Sequence, residues 1–205
     1  MPRNLSTAEI ADFRDRLCDA AERMFADHGA EAVTIRQLAS ALGVSPMTPY
    51  RYFKDKDAIL AAVRARAFDR HAEALEAAYD QSPGDAAQRS LAVGRAYVDF
   101  ALERPEAYKL MFDIKQPSAE TYPDLVRAGE RSRATMTRHV AELAAAGLVV
   151  GDPELIGHLY WAALHGPLML SFSGMLPKAY DAMTLIGHLL EALARAWAAP
   201  GAGDQ

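Results

Sequence analysis

Apolar residues recur every three or four positions along most of this chain, the spacing that gathers them on one face of an α-helix. Ile10, Phe13, Leu17, Ala21 and Met24 form the first such stripe, and Gly29 supplies a cap that ends it. Thr34, with Gln37 three residues on, makes a capping box. Val33 and Leu38 stand at the matching positions of a hydrophobic staple, so a second short helix is predicted over 35–42, stopped by Gly43. Ser45 followed by Pro46 signals the start of a third short helix, broken near Lys54 and Asp55. Asp55 and Asp57 favour the N-terminus of a long helix over 56–79. Further helices are predicted at 84–103, 105–114, 122–147, 152–173 and 178–198, their starts marked by Pro83, Pro105, Pro123, Pro153 and Pro177. Strand-like alternation is absent, so the expected fold class is all-α.

Composition adds modest bounds. The 205 residues suffice for a small domain and a larger one, and 51% hydrophobic with 24% charged content suits a globular protein with a real core. No apolar run approaches the roughly 18 residues of a membrane span, and the first residues lack an apolar signal segment. A cytoplasmic protein without membrane partners is expected. The lone cysteine, Cys18, leaves no internal disulfide to form. The net charge of −5 argues against coating nucleic acid by bulk charge. Within 33–56, however, four bases (Arg36, Arg51, Lys54, Lys56) stand against one acid, Asp55. Any anion-binding surface should be small and local to that stretch.

Two short helices around a glycine turn, packed on a third, suggest a DNA-binding helix-turn-helix, with Ala39 and Gly43 meeting its steric needs and Val44 plugging the small core. Spacing alone makes this a modest signal. The residues themselves raise it: the segment MFADHGAEAVTIRQLASALGVSPMTPYRYFKDKDAILAAV, Met24 to Val63, closely resembles the DNA-binding domain of the tetracycline-repressor (TetR) family of transcriptional regulators. That resemblance implies a homodimer on double-stranded operator DNA, each subunit placing its third helix in the major groove. The expected domains are a helix-turn-helix unit over 1–56, a helical ligand-binding and dimerisation bundle over 57–200, and a tail over 201–205.

Within the motif, Thr34 and Arg36 open helix two and suit phosphate contacts, though capping alone also accounts for Thr34. Ser45, Met47 and Thr48 begin the third helix, where Thr48 can hydrogen-bond a base edge and Met47 can meet a thymine methyl. Tyr50 and Tyr52 offer hydroxyls to phosphates, with internal packing open as the alternative for one of them. Arg51, Lys54 and Lys56 complete the expected DNA-binding set, and Phe53 is expected in the core. The family usually carries leucine or a similar residue where this chain has Pro49. Proline there lacks an N–H and disfavours α geometry at Thr48, so a distorted first turn with Thr48 displaced is expected.

Beyond the motif, RPEAYKLMFD (104–113) and YWAALHGPLML (160–170) resemble a C-terminal regulatory domain of one TetR branch marked by a Trp-His-Gly set, here Trp161, His165 and Gly166. Tyr97, Phe100, Tyr108, Met111, Phe112, Tyr122, Trp161, His165 and Met169 are the expected ligand-binding residues, and ordinary core packing is the open alternative for them. Met183, Ile186, Leu190, Leu193 and Trp197 form one helical seam; Leu155, Leu159, Ala162, Gly166 and Met169 form another. In the family the last two helices make the dimer interface, and Gly166 and Gly187 would permit close helix approach. A face turned to the subunit's own core is the alternative for either seam. The function expected is a ligand-responsive repressor, released from a palindromic operator by a small apolar molecule. A helical-bundle carrier or enzyme with an incidental helix-turn-helix is the competing reading. No catalytic set, cofactor motif or metal cluster is evident, so no enzyme activity, cofactor or metal is expected.

Overall fold

Each helix begins where a side chain satisfies its free N–H groups. The structure, a computed structural model, describes residues 6–112 and 121–199. Helix α1 (Thr7–His28) opens on a Ser6–Glu9 capping box and ends where Gly29, at φ 78°, donates its N–H to the Phe25 carbonyl. Helix α2 (Ile35–Ala41) opens on the Thr34–Gln37 box, and Gly43 follows its end at φ 65°. A 3-10 turn (Pro49–Arg51) comes next, then α3 (Lys56–Gln81), whose first turn is held by Asp55 accepting the Ala58 N–H at 2.8 Å. Helices α4 (Ala86–Glu103), α5 (Pro105–Met111), α6 (Pro123–Ala145), α7 (Pro153–Phe172) and α8 (Ala182–Trp197) complete the described elements. Besides these, the described residues hold a single antiparallel bridge between Val149 and Ala198. The chain is all-α, as the patterning predicted. The far end of the helix predicted at 105–114 and the tail from 201 lie outside the described residues.

Contacts group the chain into two compact units, residues 1–68 with 106–129, and residues 69–105 with 130–205. The sequence-based boundary at 56/57 sits instead at the start of α3, because turn chemistry marks helix ends whereas packing continues along that helix. In the first unit, Phe13, Leu17, Phe25, Val33, Leu38, Phe53, Ile59 and Val63 share one core with Leu110. Ile10 of the expected α1 stripe stands 39% exposed, and Cys18 takes a buried place in that core. In the second unit, Val140, Leu143, Val149 and Ile156 pack with Tyr160 and Trp197. Gly157 is needed there, since a Cβ would lie 2.9 Å from the Met136 carbonyl oxygen.

Arg64 is buried in the first unit, where Nε and Nη2 donate to the Leu110 and Met111 carbonyls at 2.8 and 2.7 Å. These are terminal acceptors of α5, so a guanidinium there meets both free carbonyls and the negative end of the helix dipole. Replacing Arg64 with Ala should cost about 3 kcal/mol, because two buried acceptors and a cavity are left behind. Urea denaturation of the purified variant checks this.

Two buried histidines set a second expectation. Burial pushes the pKa of His71 down to about 3 and that of His139 to about 4. Both are neutral in the folded chain at pH 7, while the unfolded chain titrates near 6.5. Above pH 6.5 neither state holds these protons and the pair contributes no slope. Below it, the unfolded chain binds protons that the folded chain refuses. Stability should therefore fall by about 1.4 kcal/mol per pH unit for each histidine, down to the folded values. Urea midpoints between pH 7 and 4.5 report the slope, which His71→Gln should roughly halve.

Candidate nucleic-acid interface and effector cavity

The Thr34–Gln37 box closes with both backbone bonds: Thr34 N–H donates to Gln37 Oε1 at 2.8 Å, and Gln37 N–H donates to Thr34 Oγ1 at 3.3 Å. Thr34 also donates its hydroxyl to Gln37. Its side chain is thus occupied by capping, while Arg36 beside it is exposed.

Residues 45–53 form no regular α-helix. Thr48 N–H reaches the Ser45 carbonyl, Arg51 N–H that of Thr48 and Tyr52 N–H that of Pro49, all three-residue bonds of 2.9–3.1 Å. The first four-residue bond is Phe53 N–H to the Pro49 carbonyl, at 3.0 Å. Pro49 has no N–H to return to Ser45, and the chain tightens into a turn followed by a 3-10 turn. The expected distortion is present, but Thr48 is not displaced from α geometry: it holds φ −62° and ψ −46°. Buried Pro49 and the two bonds that bracket Thr48 outweigh the steric bias against the helical region before proline.

The outcome is an exposed rim of Ser45, Met47, Tyr50, Arg51 and Lys54, with Thr48 half-buried. Among the described residues, Arg36, Arg51 and Lys54 carry no hydrogen bond or ion pair. Two members of the expected set turn inward. Tyr52 stacks on Phe13 with ring centroids 4.2 Å apart, and Lys56 donates through Nζ to the Ala30 and Glu31 carbonyls at 2.9 and 3.2 Å. Phe53 is buried as expected, with the Arg14 guanidinium 4.2 Å above its ring and Arg14 Nη1 donating to the Tyr52 carbonyl.

The nine expected ligand-binding residues do not gather around one cavity. Tyr108, Met111, Phe112 and Tyr122 belong to the first unit, where Tyr108 and Met111 are fully buried. Tyr122 borders a small pocket there with Arg14 and Tyr52. In the second unit Trp161 Nε1 donates to the Tyr97 hydroxyl at 2.9 Å, and His165 Nδ1 lies 3.3 Å from the same oxygen. His71 meets the Tyr97 and Phe100 rings edge-on, both at 5.1 Å, and contacts Ser132 Oγ through Nδ1 at 2.9 Å. Tyr97 and Phe100 are buried, and burial lowers the pKa of His165. Met169 is half-buried on α7. The aromatic residues mostly pack or hydrogen-bond one another.

The second unit's main cavity lies elsewhere. About 550 Å³ in volume and open on one side, it lies between α4, α6, α7 and α8 and is lined by Leu91, Gly94, Val98, Met136, Tyr160, Leu164, Ile186 and Leu190, among others. None of the nine borders it. Ser90, His139 and Tyr160 are its polar members apart from Arg95 and Asp99, both exposed. The available signal was the face Ala87, Ser90, Leu91, Gly94 and Val98, small and aliphatic residues at helical spacing whose short side chains leave room.

Part of the seam predicted on α8 turns inward: Ile186 is buried, while Met183 is 51% exposed. Met183, Ile186 and Leu190 line the cavity and Trp197 joins the core cluster. Trp197 packs so closely that a Cβ on Gly151 would lie 2.8 Å from its ring. The opposite flank, Leu185, Leu189, Ala192 and Ala196, is left outward, and Leu189 is 42% exposed. Only Ala182 and Ile186 of α8 are buried. On α7 the predicted stripe does face out, with Leu155 49% exposed and Ala162 exposed. A Cβ on Gly166 or Gly187 would meet nothing within 4 Å inside the subunit, so any close approach at these glycines is not an internal one. No helix among the described residues is long and apolar enough to cross a membrane.

Comparison with known proteins fits this geometry. Residues 17–63 match the family model described as bacterial regulatory proteins, tetR family, and residues 90–193 match that described as tetracyclin repressor-like, C-terminal domain. The HTH-type transcriptional regulator Rv1816 of Mycobacterium tuberculosis is 26% identical over 144 residues, 68% of this chain and 59% of its own length. The HTH-type transcriptional repressor Rv1474c of the same species is 35% identical over 72 residues, 35% of this chain and 38% of its own. This chain thus spans less than two thirds of these curated relatives. A solved protein of unknown function from Rhodococcus sp. RHA1 is 30% identical, covers 97% of this chain and 99% of its own, and superposes with a TM-score of 0.78.

Proposed function

The chain belongs to the tetR family of bacterial regulatory proteins, and from that premise we propose that it is a cytoplasmic transcriptional repressor which binds a palindromic operator as a homodimer and is released by a small apolar effector. One observation carries the reading: three exposed bases, Arg36 on α2 and Arg51 and Lys54 after it, carry no hydrogen bond or ion pair among the described residues, and exposed Met47 and Tyr50 lie between them in the chain. Phosphate contacts from the bases would set register, and Ser45, Met47, Thr48 and Tyr50 would meet base edges and the backbone. Thr34 and Arg36 would sit at a helix N-terminus that attracts a phosphate. Tyr52 and Lys56 act indirectly in this reading, by holding the turn against α1 and against the loop before α2.

Dimerisation is assigned to the outward flank of α8 and the exposed stripe of α7, which together leave apolar surface uncovered in one subunit. Two recognition segments about 34–36 Å apart would then read successive major grooves. The effector is assigned to the 550 Å³ cavity, and a ligand binding the DNA-free arrangement better would weaken operator affinity by that difference. A reporter driven by the chain's own upstream promoter tests the sign: expression should fall when the chain is supplied, and a rise would contradict repression.

A further inference from the structure

The cavity wall carries a hydrogen-bonded Ser90–His139 pair, and its chemistry narrows what can bind. His139 is 95% buried, and its Nδ1 lies 2.8 Å from Ser90 Oγ. Its other nitrogen, Nε2, is covered and has no hydrogen-bond partner among the described residues. Leaving a polar group unpaired in the interior is costly, and an apolar side chain would fill the same space without that cost. The imidazole's side-chain partner is Ser90, with the Met136 backbone also within its reach, and the half-buried Ser90 side chain borders the cavity. Whichever tautomer His139 adopts, one function of the Ser90 hydroxyl is committed to Nδ1. The other function is left for a ligand: a lone pair if Ser90 donates to the ring, a proton if it accepts from it. A ligand hydroxyl can serve both cases, since it donates and accepts.

Charge excludes the obvious alternatives. Burial keeps His139 uncharged at neutral pH. The two ionic side chains at the cavity, Arg95 and Asp99, are exposed, opposite in sign and one helical turn apart on α4, so they offer no net attraction to an anion or a cation. The rest of the lining is aliphatic except for Tyr160, whose phenol is also uncharged at neutral pH, with Met136 and Met183 as adaptable walls.

Resting on the assignment of the effector to this cavity, we propose that the ligand is an uncharged, largely apolar alcohol or phenol whose hydroxyl seats on Ser90, with His139 as the positioning residue behind it. The volume lies within the roughly 300–1,000 Å³ typical of small-molecule sites.

Titration calorimetry of the full chain with 1-decanol, decanoate and decylammonium tests the class without DNA. Decanol should bind at least tenfold tighter than either ion. Ser90→Ala should weaken decanol about tenfold, the loss of one neutral hydrogen bond, and leave the ions unchanged. Gly94→Phe should abolish decanol binding while keeping the thermal transition, because a Cβ at Gly94 meets nothing within 4 Å and the helix gains a better former than glycine. Equal decanol affinity in Ser90→Ala, or tighter binding of decanoate or decylammonium, overturns the proposal. So does decanol binding that Gly94→Phe leaves intact. Failure of the regulator reading shows separately: decanol binds as predicted, yet operator DNA is not bound in its absence.

Discussion

Replacing Arg36, Arg51 and Lys54 together by alanine should weaken operator binding by about a thousandfold or more near physiological salt, without changing the thermal transition. The three side chains are exposed and make no hydrogen bond or ion pair among the described residues, so their removal costs the folded chain little. On DNA the same charges would neutralise phosphates, six for a dimer, and release their counterions. The slope of log affinity against log salt should flatten by about five units, since each phosphate contact contributes about 0.9. Lys56→Ala separates positioning from contact. Its ammonium is held by the Ala30 and Glu31 carbonyls, so its loss should lower stability by about 1 kcal/mol and change the salt slope little. Fluorescence anisotropy across a salt series, with urea denaturation in parallel, reads both quantities.

The second large effect is expected on α8. Leu189→Glu places a carboxylate on the outward flank, where two-fold symmetry would bring it near its own copy and strip it of water. Sedimentation velocity should then show a monomer at micromolar concentration. Because Leu189 is 42% exposed in the single subunit, helical content and internal packing should persist. Operator affinity should fall by about a hundred- to ten-thousandfold, the avidity lost when two half-sites are no longer bound through one body. Leu190→Glu is the contrasting variant. That residue lines the cavity, so it should disturb effector binding before it disturbs assembly.

Local chemistry was legible from the sequence, and burial was not. The capping box at Thr34 and Gln37, the glycine caps at Gly29 and Gly43, and the proline-marked starts of α5, α6 and α7 depend on neighbours a few residues apart, and the structure realises them. The effect of Pro49 was half legible. A missing N–H breaks an α-helix wherever it falls, but Thr48 kept its α geometry because Pro49 is buried and bonds on both sides hold the turn. That Tyr52 and Lys56 turn inward could not be read locally, since Phe13 and Ala30 approach them only in the folded unit. Where the expected ligand residues would sit was not legible either, for a related reason. Aromatic side chains are large enough to fill the spaces they enter, so Tyr97, Phe100 and Tyr108 close gaps in the interior. The cavity forms instead where Ala87, Ser90 and Gly94 are too small to fill the space beside α8.

The most direct test of the account is a titration of the purified chain onto DNA from upstream of its own reading frame and onto a scrambled duplex of equal length. A dimer should bind the palindromic upstream sequence at least a thousandfold more tightly than the scrambled one, with strong salt dependence. Equal affinity for the two, or no salt-sensitive binding to either, would contradict a regulator that reads DNA through residues 34–54.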